Sequence, residues 1–231
     1  MAEKKITPDL QEKENKRLAV DALPSEHRGI NGAFETLLRR FKNFFHALYV
    51  LPLYVVGSAI IGCALFPAIM LFNAISDATS TAHPLLHIFA QGCGFGLGFF
   101  AYGFTLITIL PIFNWILRAR LRPWRGAYYS IGSVRWYIHN SITYLARYTF
   151  LEFITPTPFN IQFYRAMGMK IGKDTQINTT NISDPSLIEI GDRATIAGSA
   201  TLIAHYASNG FLVIAPLKIG KGATIGLKAT L

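Results

Sequence analysis

Charge is scarce in this 231-residue chain: Asp, Glu, Lys and Arg make up 15% of it, against about 25% in ordinary soluble domains. The scarcity is local. No Asp, Glu, Lys or Arg occurs from Phe44 to Ile75, and none from Ala78 to Leu117. Core helices of soluble domains rarely stay free of charge on every face for so long. Each run exceeds the roughly 20 residues that a bilayer requires. Two transmembrane helices are therefore expected, near residues 47–72 and 86–114.

Cysteine is nearly absent as well. Cys63 and Cys93 both lie in apolar runs, form no CxxC pair and imply no disulfide framework. They are expected to be small packing residues. Only one histidine, His205, follows His139, and no cysteine follows Cys93. A catalytic zinc commonly takes three protein ligands, so no metal is expected. The net charge of +9 comes without zinc-finger spacing, an RNP-like run or a basic recognition helix, which argues against a nucleic-acid partner. No cleavable signal peptide is visible, because residues 1–30 are polar and charged from the start. They read as a mobile cytoplasmic tail.

The charges that are present flank the apolar runs. Residues 31–42 fit an amphipathic helix at a membrane surface, so that residues 1–43 form a tail ending in that helix. Phe34, Leu37, Leu38 and Phe41 would share its apolar face, with Arg39, Arg40 and Lys42 reaching headgroups. Arg118, Arg120, Arg122 and Arg125 follow the second run, while the loop between the runs has no Lys or Arg. The Lys/Arg bias puts both termini on the cytoplasmic side, and the bilayer expected is a bacterial inner membrane. Within residues 44–117, Gly92/Gly96 and Gly94/Gly98 form GxxxG pairs. These suit close helix approach, either between copies or within the chain. Pro52, Pro67 and Pro111 are candidate kinks. Residues 118–165 are rich in Tyr, Trp and Phe but too polar to span, and are expected to lie at the interface.

Beyond residue 165 a period of six sets in. Ile171, Ile177, Ile190, Ile196, Leu202, Ile219, Ile225 and Leu231 fall into runs spaced by six, in strings such as IGDRATI and IGKGATI. Such a period marks a parallel β-helix over residues 166–231, a triangular solenoid with aliphatic residues inside and small residues, often Gly, at the corners. The fold class expected is thus a transmembrane α-helical hairpin joined to an all-β left-handed parallel β-helix. The period breaks twice. One extra residue is needed between Ile177 and Ile190, and eleven between Leu202 and Ile219. The second break must project from the solenoid, and projecting loops on rigid scaffolds tend to carry sites. It contains His205. A histidine titrates near neutrality and can take a proton from a nucleophile, and backbone N–H groups of the adjoining turn would hold the oxyanion that follows.

Residues 163–231, beginning at FYRAMGMKIGKDTQI, resemble the hexapeptide-repeat acyltransferases. That resemblance implies His205 as catalytic base and Asn181 as the nearest match to an acceptor-binding asparagine, with Asn178 close by. Acyl-CoA or a carrier thioester would be the donor substrate, with no bound cofactor. Lys218 and Lys221 are candidates for CoA phosphates, as is Lys228. A second resemblance takes in the transmembrane pair, the aromatic segment, FYRAMGMKIG and the His-bearing loop. It is to the membrane-embedded terminal domain of nonribosomal peptide synthetases such as poly-lysine synthetase, which repeats this unit three times. It implies peptide-bond formation on carrier-bound amino acids, with a carrier protein as partner, and a homotrimer where one chain holds one unit. The period stops at Leu231 without a cap, so further coils that would complete the donor site are expected to be missing. A non-catalytic trimeric membrane scaffold is the third function considered.

Overall fold

A computed structural model describes residue 25, residues 28–208 and residues 210–231, apart from the side chains of residues 44–46 and 49. Most of the expected tail lies outside the described residues. A short helix, α1 (Ile30–Arg40), leads into two long ones, α2 (Lys42–Ala78) and α3 (Pro84–Ile116). Both long helices are apolar enough to cross a membrane. They form an antiparallel pair joined at residues 79–83. Pro84 at its first turn and His83, whose Nδ1 accepts the Leu85 N–H, start α3. Thr79 meets His87 Nδ1 at 2.9 Å and Gln91 donates to Ser76 Oγ at 3.1 Å, closing the turn. Pro52, Pro67 and Pro111 all lie inside continuous helix.

Small residues set how close the pair comes. A Cβ on Gly98 would lie 3.4 Å from the Ala68 carbonyl oxygen, and one on Gly94 would lie 3.3 Å from the Phe72 ring. The Gly94/Gly98 pair therefore seats α3 on α2 of the same chain. Gly92 and Gly96 face open space. Cys63 and Cys93 are exposed, contrary to the packing role expected. The outer faces of both helices carry exposed large apolar side chains, among them Leu51, Val55, Phe66, Leu86 and Phe89. In α1 and at its end, Phe34, Leu37 and Phe41 are exposed as a surface-facing stripe would be, but Leu38 is buried. Arg39 is also buried, paired with Glu35 one turn back, so it does not reach outward.

The aromatic segment is only partly peripheral. It forms a short strand β1 (Trp124–Ala127), α4 (Ile131–Thr149) and α5 (Pro158–Ala166). Tyr148, Phe153 and Phe159 are exposed, whereas Phe150, Phe163 and Tyr164 are buried. Phe150 sits so tightly on α3 that a Cβ on Gly103 would fall 2.0 Å from its ring. One continuous apolar core runs from Ile60 and Ala64 of α2, through Leu106 and Leu110 of α3 and Ile142 and Ala146 of α4, into the isoleucines beyond residue 170. The helices and the β region are thus one packed body.

The β region consists of short parallel ladders visited in turn. The chain runs through β2 (Lys170–Ile171), β3 (Gln176–Ile177), β4 (Ile182–Ser183), β5 (Ile188–Ile190), β6 (Thr195–Ile196) and β7 (Leu202–Ile203). An antiparallel hairpin follows, of β8 (His205–Ser208) and β9 (Phe211–Ile214), before β10 (Leu217–Ile219) and β11 (Thr224–Ile225). The sheets are β2–β5–β10, β3–β6–β11 and β4–β7. Ile171 pairs with Ile190, and Ile190 with Ile219, so successive passes are 19 and then 29 residues long. Against a strict pass of 18, these are the one and the eleven extra residues anticipated from the period. Ile177, Ile190, Ile196, Leu202 and Ile219 are buried between the ladders. Corners recur with the same spacing: Asp174, Arg193 and Gly222 all have left-handed backbones. Passes stack closely at Gly172 and Gly191, where a Cβ would lie 2.4 Å from the Asp192 nitrogen and 2.6 Å from the Lys221 nitrogen.

Candidate active site

Each break in the period has a structural cause. In the first pass the chain reaches the third ladder early, at Ile182 opposite Leu202. The surplus is then taken up by Asp184, in a left-handed backbone (φ 59°), and a short 3-10 turn over Pro185–Leu187. An aspartate tolerates that backbone better than a bulky residue does. The second break is not a loose loop. It is the β8–β9 hairpin, and β1 from the aromatic segment pairs with β9 to make a three-stranded antiparallel sheet. Leu212 and Ile214 of β9 are buried with Leu121, and Trp124, Tyr128 and Trp136 pack against them.

The two breaks meet. His205, the first residue of the hairpin, has its Nδ1 2.5 Å from Asp184 Oδ2. Asp184 is fully buried, while the His205 side chain keeps about a fifth of its surface exposed. The other carboxylate oxygen, Asp184 Oδ1, accepts a 2.9 Å hydrogen bond from Asn140 Nδ2 of α4. The same Asn140 amide donates to the Trp136 carbonyl one turn back, at 3.1 Å. The Trp136 ring stands edge-on to the His205 imidazole at 4.8 Å. A buried carboxylate that accepts the Nδ1 proton fixes the tautomer and leaves the Nε2 lone pair as the basic atom.

A second histidine lies behind this pair. His139 is fully buried, and its Nδ1 is 2.9 Å from the side-chain oxygen of Asn114, near the end of α3. Burial pushes its pKa down to about 4; the Asp184 carboxylate opposes that shift and the Arg120 guanidinium adds to it. His139 is thus neutral at neutral pH and donates its Nδ1 proton to Asn114. It is a filler of the core beside the site, whereas His205 is the one whose ring reaches outward.

Of the residues singled out from sequence, only His205 stands in this cluster. Asn181 lies three residues before Asp184, and its amide oxygen accepts from Arg147 of α4. Asn178 is exposed on the first pass. Lys218 lies in β10 beside Glu189, which pairs with Lys170 at 3.3 Å, and Lys221 is exposed at the next corner. Lys228 is exposed at a left-handed corner of the last pass. Asp184, Asn140 and Trp136 were not anticipated. The one-residue break lies somewhere between Ile177 and Ile190, and nothing in the sequence singled out Asp184 within it. Asn140 and Trp136 come from a helix more than 40 residues upstream and carry no local signal. Among the described residues, no three His, Cys, Asp or Glu side chains converge as a metal site would require.

Over 132 residues the chain is 26% identical to a protein named delta-poly-L-ornithine synthetase of Acinetobacter baumannii (strain AB307-0294). No family model matches the chain, and no solved structure matches it significantly. The similarity takes in 55% of this chain and about a tenth of that synthetase's length, so what the two share is a part of a much larger protein.

Proposed function

We propose that this chain is a membrane-anchored acyl-transfer unit in which His205 is the general base, and that it forms an amide between a thioester-bound amino acid and an acceptor amine. The observation that carries this reading is the His205–Asp184 pair, a partly exposed imidazole held by a buried carboxylate. In the proposed reaction the acceptor nitrogen attacks the thioester carbonyl while His205 Nε2 takes its proton. The tetrahedral intermediate then expels the thiolate, the C–S bond breaks, and the imidazolium returns the proton to sulfur. The products are an amide and a free thiol. Similarity to a protein named as a poly-ornithine synthetase favours an amine acceptor over a hydroxyl.

The rest of the proposal concerns the scaffold. Parallel ladders revisited every 19 and then 29 residues, with buried isoleucines and left-handed corners, fit a hexapeptide-repeat left-handed β-helix. α2 and α3 would anchor it in a bacterial inner membrane with both termini cytoplasmic, following the arginines that flank them. Gly92 and Gly96, open on the far side of α3, suit a second helix in a homotrimer. A cleft of about 480 Å³ between α2 and α4, lined by apolar side chains such as Leu53, Ile61 and Leu145, includes Tyr144. The Tyr144 hydroxyl is 3.4 Å from Ser183, the neighbour of Asp184, so an acceptor with an apolar portion would fit there.

The test is turnover by the purified chain in nanodiscs, offered ornithine or lysine with either an aminoacyl thioester of a carrier protein or acetyl-CoA. Amide product from the aminoacyl thioester, lost in His205→Ala, is expected. Product from acetyl-CoA alone would transfer the reading to a CoA-dependent acyltransferase. Equal turnover by His205→Ala would end the general-base reading.

A further inference from the structure

The arginines that follow α3 do more in the fold than flank an apolar helix. After Ile116 the backbone turns through a left-handed Arg118 (φ 49°) and runs on without helix. Ala119 and Leu121 are buried, which leaves Arg118, Arg120 and Arg122 outside. Arg135, on the exposed side of α4, joins them. These four arginines line one open cleft beside Asn114 and Trp115, with a volume of about 970 Å³. Among the described residues no carboxylate pairs with any of the four. Arg120 donates one hydrogen bond, 3.3 Å long, to the Gly168 carbonyl. Like charges gathered on one wall repel each other and raise the local concentration of anions. Guanidinium groups in particular match the planar, two-pronged geometry of phosphate oxygens.

The cleft is tied to the candidate active site at two points. The Leu121 backbone N–H donates to Ser186 Oγ at 3.1 Å, inside the turn that begins at Asp184. Arg135 is followed directly by Trp136, whose ring packs on His205. The Arg120 guanidinium and the Asp184 carboxylate also act on the same His139 ring. The wall that carries the arginines is therefore built onto the wall that carries the reacting group.

We propose that Arg118, Arg120, Arg122 and Arg135 form a binding site for the phosphate ester of the substrate on which His205 acts. Two sources share that chemistry: the phosphopantetheine arm of a thioester donor and the phosphate of a lipid acceptor. The identity of the substrate rests on the acyl-transfer reading, whereas the anion site is independent of it.

The probes are 4′-phosphopantetheine and its phosphate-free counterpart pantetheine, titrated calorimetrically into the full chain in phosphatidylcholine nanodiscs. A second arm compares retention of phosphatidic acid and its phosphate-free counterpart diacylglycerol on the detergent-solubilised chain by native mass spectrometry. The variants are Arg122→Gln/Arg135→Gln and, as a control for general positive charge, Lys170→Gln/Lys173→Gln, at positions with no assigned ligand. All four positions are exposed, and unchanged melting temperatures check folding. If the donor supplies the phosphate, 4′-phosphopantetheine binds at least about tenfold more tightly than pantetheine. The arginine variant then loses that preference and the lysine variant keeps it. If a lipid supplies it, the same pattern appears for phosphatidic acid over diacylglycerol. No phosphate preference with either probe, or an equal loss in the lysine variant, overturns the proposal. His205→Ala separates the two readings: it should retain the phosphate preference without turnover. A wild-type chain that shows the preference but never cleaves a thioester would sink the acyl-transfer reading alone.

Discussion

His205 and Asp184 stand 21 positions apart, and the 2.5 Å contact between them joins the two irregular passages of an otherwise regular β region. Its chemistry depends on which nitrogen carries the proton. With the buried carboxylate accepting from Nδ1, the base is Nε2. Asp184→Asn keeps the shape but removes the charge, and its amide N–H₂ can turn toward Nδ1 and force the proton onto Nε2. Turnover in Asp184→Asn should fall by about 10²- to 10⁴-fold, with donor binding retained. Steady-state kinetics on the aminoacyl thioester check this, and undiminished kcat would remove Asp184 from the proposed mechanism.

Asn140 acts through Asp184. Its side-chain N–H₂ is the donor to Asp184 Oδ1, at 2.9 Å, in a buried environment. Asn140→Ala leaves a buried charged oxygen without that partner, at a cost of roughly 1.5–3 kcal/mol. Chemical denaturation should show a loss of that order. If Asn140 also positions the carboxylate, kcat falls while KM for the thioester stays constant. A stability loss with normal kcat would restrict Asn140 to a structural role.

Acid should weaken the fold through His139. Its folded pKa of about 4 lies below the ordinary value of 6.5, so between those values the unfolded chain binds a proton that the folded chain does not. Stability is therefore fully present above pH 6.5 and declines as pH falls toward 4. Below that, both states are protonated and this loss stops growing. The full effect is on the order of 3 kcal/mol. Melting temperatures between pH 7 and pH 4 should fall in wild type and fall less steeply in His139→Gln, and equal slopes would contradict this account.

The stacking of successive passes sets a limit on Gly191. A Cβ there would meet the main-chain nitrogen of Lys221 at 2.6 Å, and main chain cannot rotate away. Gly191→Ala should cost about 1–3 kcal/mol. Gly220 sits one pass further on and meets nothing within 4 Å, so Gly220→Ala should leave stability nearly unchanged. A similar loss in both variants would show that stacking is not the cause.

Much of this architecture was legible from local pattern. Two long charge-free runs become α2 and α3, because helices of that length with apolar residues on every face follow directly from composition. The period of six shows itself because each pass needs an aliphatic residue at the same places, and Ile177, Ile190, Ile196 and Leu202 are buried there. Even the lengths of the two breaks could be counted. The roles of the small and aromatic residues were less readable. Gly94 and Gly98 pack within the chain, and Phe150 and Tyr164 are core residues, because burial depends on what a neighbouring element presents rather than on local texture.

For the site, the sequence by itself determined the existence of a projecting segment and the histidine in it. A broken period is visible wherever a regular one surrounds it. Only the tertiary structure decided that Asp184 and Asn140 complete that histidine, and that four arginines share a cleft beside it. Those residues lie on separate passes, on α4 and in the segment after α3. Their meeting depends on how the helices dock onto the ladders, a long-range packing outcome that no local spacing encodes.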